Sequence, residues 1–350
     1  MIFSSDHAAP VPPAVMQALV AANQGYAPSY GADAAMDRVR AQVRAIFEAP
    51  EAAVCLVTSG TAANALALAT LTEPWGAIYC HRNAHVETDE CGAPEFYTGG
   101  AKLVLVEGDH ARIAPDSLQT ALTAAAGAGV HNVQRGVLSL TNATEAFTTY
   151  SPAQITELTT IARAFAMPTH LDGARFSNAL VSLGCSPADL TWRAGIDIVT
   201  FGGTKNGLLA VEAVVIFDPA RAWEFELRRK RGGHLVAKQR YLAAQIEAYL
   251  HDGLWLRLAA AANAMARRLS HGMLGVPGAS LLHPTEANAV FAAFPRATHQ
   301  RAQAAGARYN LVPDHASFEG PPDQPIAARL VCSWYTTPAE VDQFLSVLRG

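Results

Sequence analysis

Gly195-Ile196-Asp197-Ile198-Val199-Thr200-Phe201 runs directly into Gly202-Gly203-Thr204-Lys205-Asn206-Gly207. The first half is an apolar run of the kind found in buried strands, and the second is a glycine-framed turn carrying one lysine. A lysine held there is kept from water. Desolvation disfavours its ammonium form and leaves a neutral amine able to attack a carbonyl and form a Schiff base. An isolated Gly-Thr-Lys is otherwise an ordinary loop, so the reading depends on what the flanking chain supplies.

Working outward, further apolar runs at 53–57, 77–80, 102–106, 136–140, 168–171 and 213–217 join 196–201 as expected strands. Helical patterns at 62–71, 116–125 and 152–166 lie between them. Such alternation predicts an α/β fold, a mostly parallel seven-stranded sheet flanked by helices. The polar, proline-containing start up to about residue 32 reads as an arm. Beyond Asp218-Pro219 come helices at 221–231, 235–250 and 255–270, strand-like segments at 280–282, 289–294 and 328–332, and a closing helix at 338–348. This divides the chain into an arm and large domain, residues 1–250, and a small C-terminal α+β domain, residues 251–350.

Composition narrows the function class. Half of the 350 residues are hydrophobic, 16% are charged, and the formal net charge is -4. These values fit a compact enzyme and exclude a disordered or nucleic-acid-binding chain. The one basic cluster, Arg228-Arg229-Lys230-Arg231, follows Glu224 and Glu226 in a helical segment and reads as a solvated or interface-facing helix. Five cysteines without a Cys-x-x-Cys fit a reduced, cytoplasmic setting, and no metal site is expected. No signal peptide and no membrane-length apolar stretch stands out.

Two more segments carry chemistry. The strand at 53–57 ends in Thr58-Ser59-Gly60-Thr61-Ala62-Ala63-Asn64, where a helix start offers free N–H groups and two hydroxyls to a phosphate. Ser and Thr are also ordinary helix caps. The strand at 168–171 ends in Asp172-Gly173-Ala174-Arg175, projecting a carboxylate into the crevice where parallel sheets bind ligands. That aspartate is either a helix cap or the partner of a cation. A phosphate-type turn, a strand-end acid and a strand-end lysine, in that order, meet the needs of pyridoxal phosphate.

With those segments in place, the chain resembles the low-specificity L-threonine aldolases, pyridoxal phosphate enzymes of the aspartate aminotransferase-like fold. The resemblance rests on Phe3-Ser4-Ser5-Asp6, Tyr30-Gly31-Ala32-Asp33, Gly60-Thr61-Ala62-Ala63-Asn64, Ala84-His85-Val86-Glu87-Thr88-Asp89-Glu90, His170-Leu171-Asp172-Gly173-Ala174-Arg175, Phe201 to Gly207 and Arg329-Leu330-Val331-Cys332-Ser333-Trp334. It implies that Lys205 carries the cofactor, Asp172 faces the pyridine nitrogen, and Ser59, Gly60 and Thr61 hold the phosphate. It further implies that His85 stacks on the ring and handles the substrate hydroxyl proton, with Glu90 orienting it. Ser5, Arg175 and Arg329 match groups that grip the substrate carboxylate, and Tyr30 an active-site neighbour. At the neighbouring-subunit cation that completes the family's phosphate site after a Gly-Gly turn, the chain departs from the pattern and offers Lys238 or Arg240, with Lys238 favoured. The implied assembly is a homotetramer, a dimer of dimers with active sites at the dimer interface. The implied reaction is retro-aldol cleavage of L-threonine, L-allo-threonine and related β-hydroxy-α-amino acids to glycine and an aldehyde. The alternative is a β-eliminating lyase or aminotransferase on the same fold. A second departure is that Leu140-Thr141-Asn142-Ala143-Thr144-Glu145 lacks the second histidine that one branch of the family places there.

Overall fold

The computed structural model describes residues 1–125, 129–313 and 315–350. The large sheet is built from β1 (Ala53–Val57), β2 (Gly76–His81), β3 (Lys102–Val106), β4 (Gln134–Thr141), β5 (Thr169–Gly173), β6 (Ile198–Phe201) and β7 (Glu212–Ile216). Their spatial order is β1-β7-β6-β5-β4-β2-β3. Strand β7 runs antiparallel to both neighbours, and the other pairs are parallel. All seven strands fall where the apolar runs predict them. Strands β2, β6 and β7 are buried on both faces, so they read as continuous hydrophobic segments without alternation, whereas the edge strand β3 is only partly buried.

A second sheet of β8 (Ser280–Leu281), β9 (Ala289–Pro295), β10 (Asn310–Val312) and β11 (Pro325–Val331) has the order β10-β11-β9-β8. It packs against the helices Leu254–Met273 and Pro338–Arg349. The helix Arg296–Ala304 and the three-residue β10 were not anticipated; both are too short or too polar to show a clear period. The loop between β8 and β9 meets loops of the large domain at Glu286, whose carboxylate accepts the Thr149 N–H at 2.7 Å and lies 3.7 Å from Arg112. Among the described residues no helix is long and apolar enough to cross a membrane.

The opening stretch departs from the expected arm. Pro13–Ala22 within it is a helix, α1, and a second helix, α2 (Ala34–Ile46), follows just beyond it. Pro12-Pro13 looks like a breaker, yet Pro13 occupies the first helical position, where a missing N–H costs nothing. Val15 is buried in the main core, and Phe3 is buried in the core of the small sheet, with its N–H donating to the Arg308 carbonyl. Another correction concerns the helix expected at 235–250, which starts at Arg240. The Ala237 carbonyl is taken by the Tyr30 N–H at 2.9 Å, so that stretch serves the N-terminal segment instead.

An aromatic cluster sits under the Lys205 turn. Phe201 packs edge-on against Phe47, Phe176 and Trp255 at centroid distances of 5.6, 5.8 and 5.3 Å. Such pairs add to burial energy. Replacing Phe201 with alanine opens a cavity that rigid neighbours cannot fill, so urea unfolding should show a loss of about 3–5 kcal/mol. A loss below about 1 kcal/mol would mean that the cluster collapses freely.

Candidate active site

The helix α3 (Gly60–Leu71) begins where β1 ends, with Ser59 as its N-cap accepting the Ala62 N–H at 3.2 Å. The hydroxyl thus satisfies one helix donor at the position where a phosphate cradle is expected. A Cβ built on Gly60 meets nothing within 4 Å. Lys205 lies in a short turn, Thr204–Asn206, after β6. Gly202 must lack a side chain, because a Cβ there would sit 2.3 Å from the Ala174 carbonyl oxygen. The Gly203 N–H donates to the buried Glu212 carboxylate at 2.6 Å, fixing the turn from β7.

A cavity of about 290 Å³ brings Ser59, Gly60, Thr61, His85, Asp172 and Lys205 together. Behind it runs a continuous polar network. The Asn64 amide donates to Asp172 Oδ2 at 3.0 Å and to Glu90 Oε1 at 2.9 Å, and its oxygen accepts from the Thr200 hydroxyl at 3.0 Å. His85 Nδ1 lies 2.8 Å from Glu90 Oε1. His170 is held between the hydroxyls of Ser139 (3.0 Å) and Thr200 (3.3 Å). The backbone of His85 is anchored separately, its N–H donating to Glu145 Oε1 at 2.8 Å.

These contacts sort the titrating groups. Burial opposes the charge on Asp172, but His85 and Lys205 outweigh it and hold its carboxyl below the usual range. Burial, then the Arg175 charge, lowers the Lys205 amine. The Glu90 hydrogen bond raises His85 against the effect of burial, and burial raises Glu90 in turn. Burial takes His170 down to about 4, so it is a neutral, structural histidine. Burial pushes Glu212 up to about 7 despite its hydrogen bonds from Thr204 and Gly203.

Other expected residues lie elsewhere. Ser5 caps the short turn Asp6–Ala8, accepting the His7 N–H at 3.2 Å, and faces a separate surface hollow beside Ser333. Arg175 presents Nε and Nη2 to Asp6 at 2.7 and 3.2 Å, and its guanidinium lies 4.3 Å over the Phe147 ring. Arg329 is half-buried on β11. Tyr30 is exposed, with the Lys230 ammonium 4.6 Å over its ring, and Lys238 is exposed nearby. None of these five lines the Lys205 cavity. Arg240 is committed to the Gly25 carbonyl at 2.9 Å. Sequence reasoning also missed residues around the site: Asn64 and Asp6, each quoted only as part of a motif, and Glu212. A polar residue inside an otherwise alanine-rich buried helix is the one signal that marks Asn64.

A strand-end lysine, a buried ionised aspartate and an open helix N-terminus meet at the carboxyl edge of a mostly parallel sheet. They define a pyridoxal phosphate enzyme of fold type I. The residues fit the cofactor: Asp172, 2% exposed yet ionised, can pair with a protonated ring nitrogen, and the space over Gly60 can take a phosphate. The beta-eliminating lyase family model matches residues 3–295. The low specificity L-threonine aldolase of Pseudomonas aeruginosa is 38% identical over 99% of this chain and 96% of its own. That of a Pseudomonas species is 37% identical over 99% and 97%. The solved Leishmania major threonine aldolase superimposes with a TM-score of 0.91 at 26% identity, covering 99% of this chain and 98% of that one. The chain belongs to the beta-eliminating lyase family, in the branch of the low-specificity L-threonine aldolases. Its cofactor is pyridoxal phosphate.

Glu212 yields a pH prediction. A carboxyl raised in the folded state adds stability that is complete below its unfolded value and is lost as pH rises through about 7. In cofactor-free protein, Glu212→Gln should gain on wild type by about 2–3 kcal/mol between pH 5 and pH 8, read from urea unfolding at each pH. Parallel pH profiles would remove Glu212 as the source.

Proposed function

We propose that the chain catalyses retro-aldol cleavage of L-threonine, L-allo-threonine and related β-hydroxy-α-amino acids to glycine and an aldehyde. The observation that carries this reading is the His85–Glu90 pair beside Lys205 and Asp172: a base oriented by a buried acid, in the cavity that holds the cofactor amine. Pyridoxal phosphate, when bound, supplies an electron sink for the bond broken at Cα.

Each side chain then has a task. Lys205, its ammonium destabilised by burial, holds the cofactor through its amine. Asp172 keeps the proton on the ring nitrogen. Ser59, Gly60 and Thr61 bind the phosphate at the start of α3. Arg175 grips the substrate carboxylate through Nη1, which makes no hydrogen bond among the described residues, while Asp6 fixes the other edge of the fork. Ser5 and Arg329 are proposed to join that grip once substrate is bound. His85 accepts the β-hydroxyl proton as the Cα–Cβ bond breaks, a step supported by the Glu90 carboxylate at Nδ1 and worth about 10²–10⁴-fold. A proton delivered to Cα completes glycine, so none is gained or lost overall.

Lys205→Ala in cofactor-supplemented protein should yield neither glycine nor aldehyde from either threonine diastereomer, with the two products measured separately. Wild-type protein that released an oxo acid with ammonia would shift the assignment to β-elimination, and an oxo acid without ammonia would shift it to transamination.

The assembly we infer is a homo-oligomer, a tetramer made of two dimers, with active sites shared across each dimer. Its support is positional. Tyr30 and Lys238 lie together on the outer surface, away from their own cavity. The internal bonding of Arg240 favours Lys238 as the cation that reaches the neighbouring phosphate. In an equal mixture of Lys205→Ala and Lys238→Ala chains, hybrid dimers restore one complete site each, so activity should return to roughly a quarter of wild type. Absence of any recovery would place Lys238 outside the partner's site. Five free cysteines suit the cytoplasmic setting that we propose for the enzyme.

A further inference from the structure

The cavity contains one imidazole that the reaction above does not use. His7 lines it together with His85, Lys205 and Asp172. It comes from the short turn Asp6–Ala8, which packs against the turn carrying Lys205. That short turn is tied down on several sides. The Ser5 hydroxyl accepts the His7 N–H, and the neighbouring Asp6 is buried in its two-point pair with Arg175 and also accepts from Asn288 at 3.2 Å. The backbone of His7 is therefore fixed, while its ring makes no hydrogen bond among the described residues.

The central loop adds nothing equivalent. Thr144 is fully buried, and its hydroxyl is shared with Thr148 at 2.8 Å and directed to the His110 carbonyl. Among the described residues the histidines lining the cavity are thus His85 and His7. His85 is committed at Nδ1 to Glu90 and to the proton transfer. Burial, with Lys205, Arg175 and His85 nearby, holds His7 below its ordinary value although Asp6 opposes this. A neutral imidazole offers one donor and one acceptor, which matches a hydroxyl's own donor and acceptor.

We propose that His7 is a specificity-determining residue, contacting the β-carbon substituents of the substrate and setting the preference between the threo and erythro hydroxyl. The inference rests on the retro-aldol reading of the same site. The two diastereomers share every atom through Cα and exchange hydroxyl and methyl at Cβ. Contacts at Lys205, Asp172 and the carboxylate cannot tell them apart, whereas an imidazole carried on an anchored backbone at the cavity wall, its ring exposed and without a protein partner among the described residues, can.

The test uses holoenzyme carrying His7→Phe, which keeps ring bulk, and His7→Asn, which keeps a donor and an acceptor. Rates on L-threonine and L-allo-threonine are compared, and glycine, which has no Cβ, is titrated by the change in cofactor absorbance. The ratio of kcat/KM for the two diastereomers should shift by about tenfold in His7→Phe and partly return in His7→Asn, while glycine affinity stays within about twofold. An unchanged ratio in His7→Phe, or a loss of glycine affinity as large as that for threonine, overturns the proposal. If wild-type protein cleaves neither diastereomer, the retro-aldol reading fails by itself. His7 is then judged by binding: equal weakening of glycine and L-threonine, or of neither, rejects it, and selective weakening of L-threonine supports it.

Discussion

The side-chain amide of Asn64 is the contact on which the site depends. It is fully buried near the start of α3 and donates to two carboxylates, Asp172 on β5 and Glu90 in the loop after the His85 helix. Two acids so close would repel, and each would be costly to bury without a donor. One NH₂ group serves both, and Thr200 on β6 fills the amide oxygen. The same residue thus locks the start of α3, Asp172 and Glu90 into one frame. Its neighbours along α3 are almost all buried alanines and leucines, which lets the helix sit directly on the sheet.

Around that frame, similar side chains are driven to different protonation states. Electrostatic attraction to His85 and Lys205 holds Asp172 below the usual carboxylate range, whereas burial pushes Glu90 and Glu212 upward. Lys205 is pushed the other way by the same desolvation. Environments that drive titrating groups apart let one small cavity hold both a charged anchor and a proton acceptor at neutral pH. The Glu212 contact to the Gly203 N–H also shows how β7 restrains the lysine turn, although β7 runs against its neighbours.

Much of the fold was legible because its signals are local. Each strand of the large sheet is a short apolar run closed by glycine or a polar residue, and the phosphate-type turn, Asp172 and Lys205 all follow such runs directly. The first helix was hidden because its alanines give little periodicity and its prolines resemble a break. Asn64 and Glu212 were hidden because their value lies in residues far along the chain: Asn64 meets Asp172 across 108 positions. Ser5, Tyr30, Arg329 and Lys238 could be named by resemblance, but one chain does not bring them to the cavity.

The sequence by itself determined the order of elements and the chemistry at each strand end, since strand burial and turn composition are set by neighbours within a few residues. Only the tertiary structure decided which groups are charged, which face the cavity and which are spent on one another. Asp6 is the clearest case: its partners Arg175 and Asn288 lie 169 and 282 residues away, and their contact both occupies one edge of the arginine and sets His7 at the cavity. Desolvation and charge pairing act through space, so no local pattern in the chain could have assigned them.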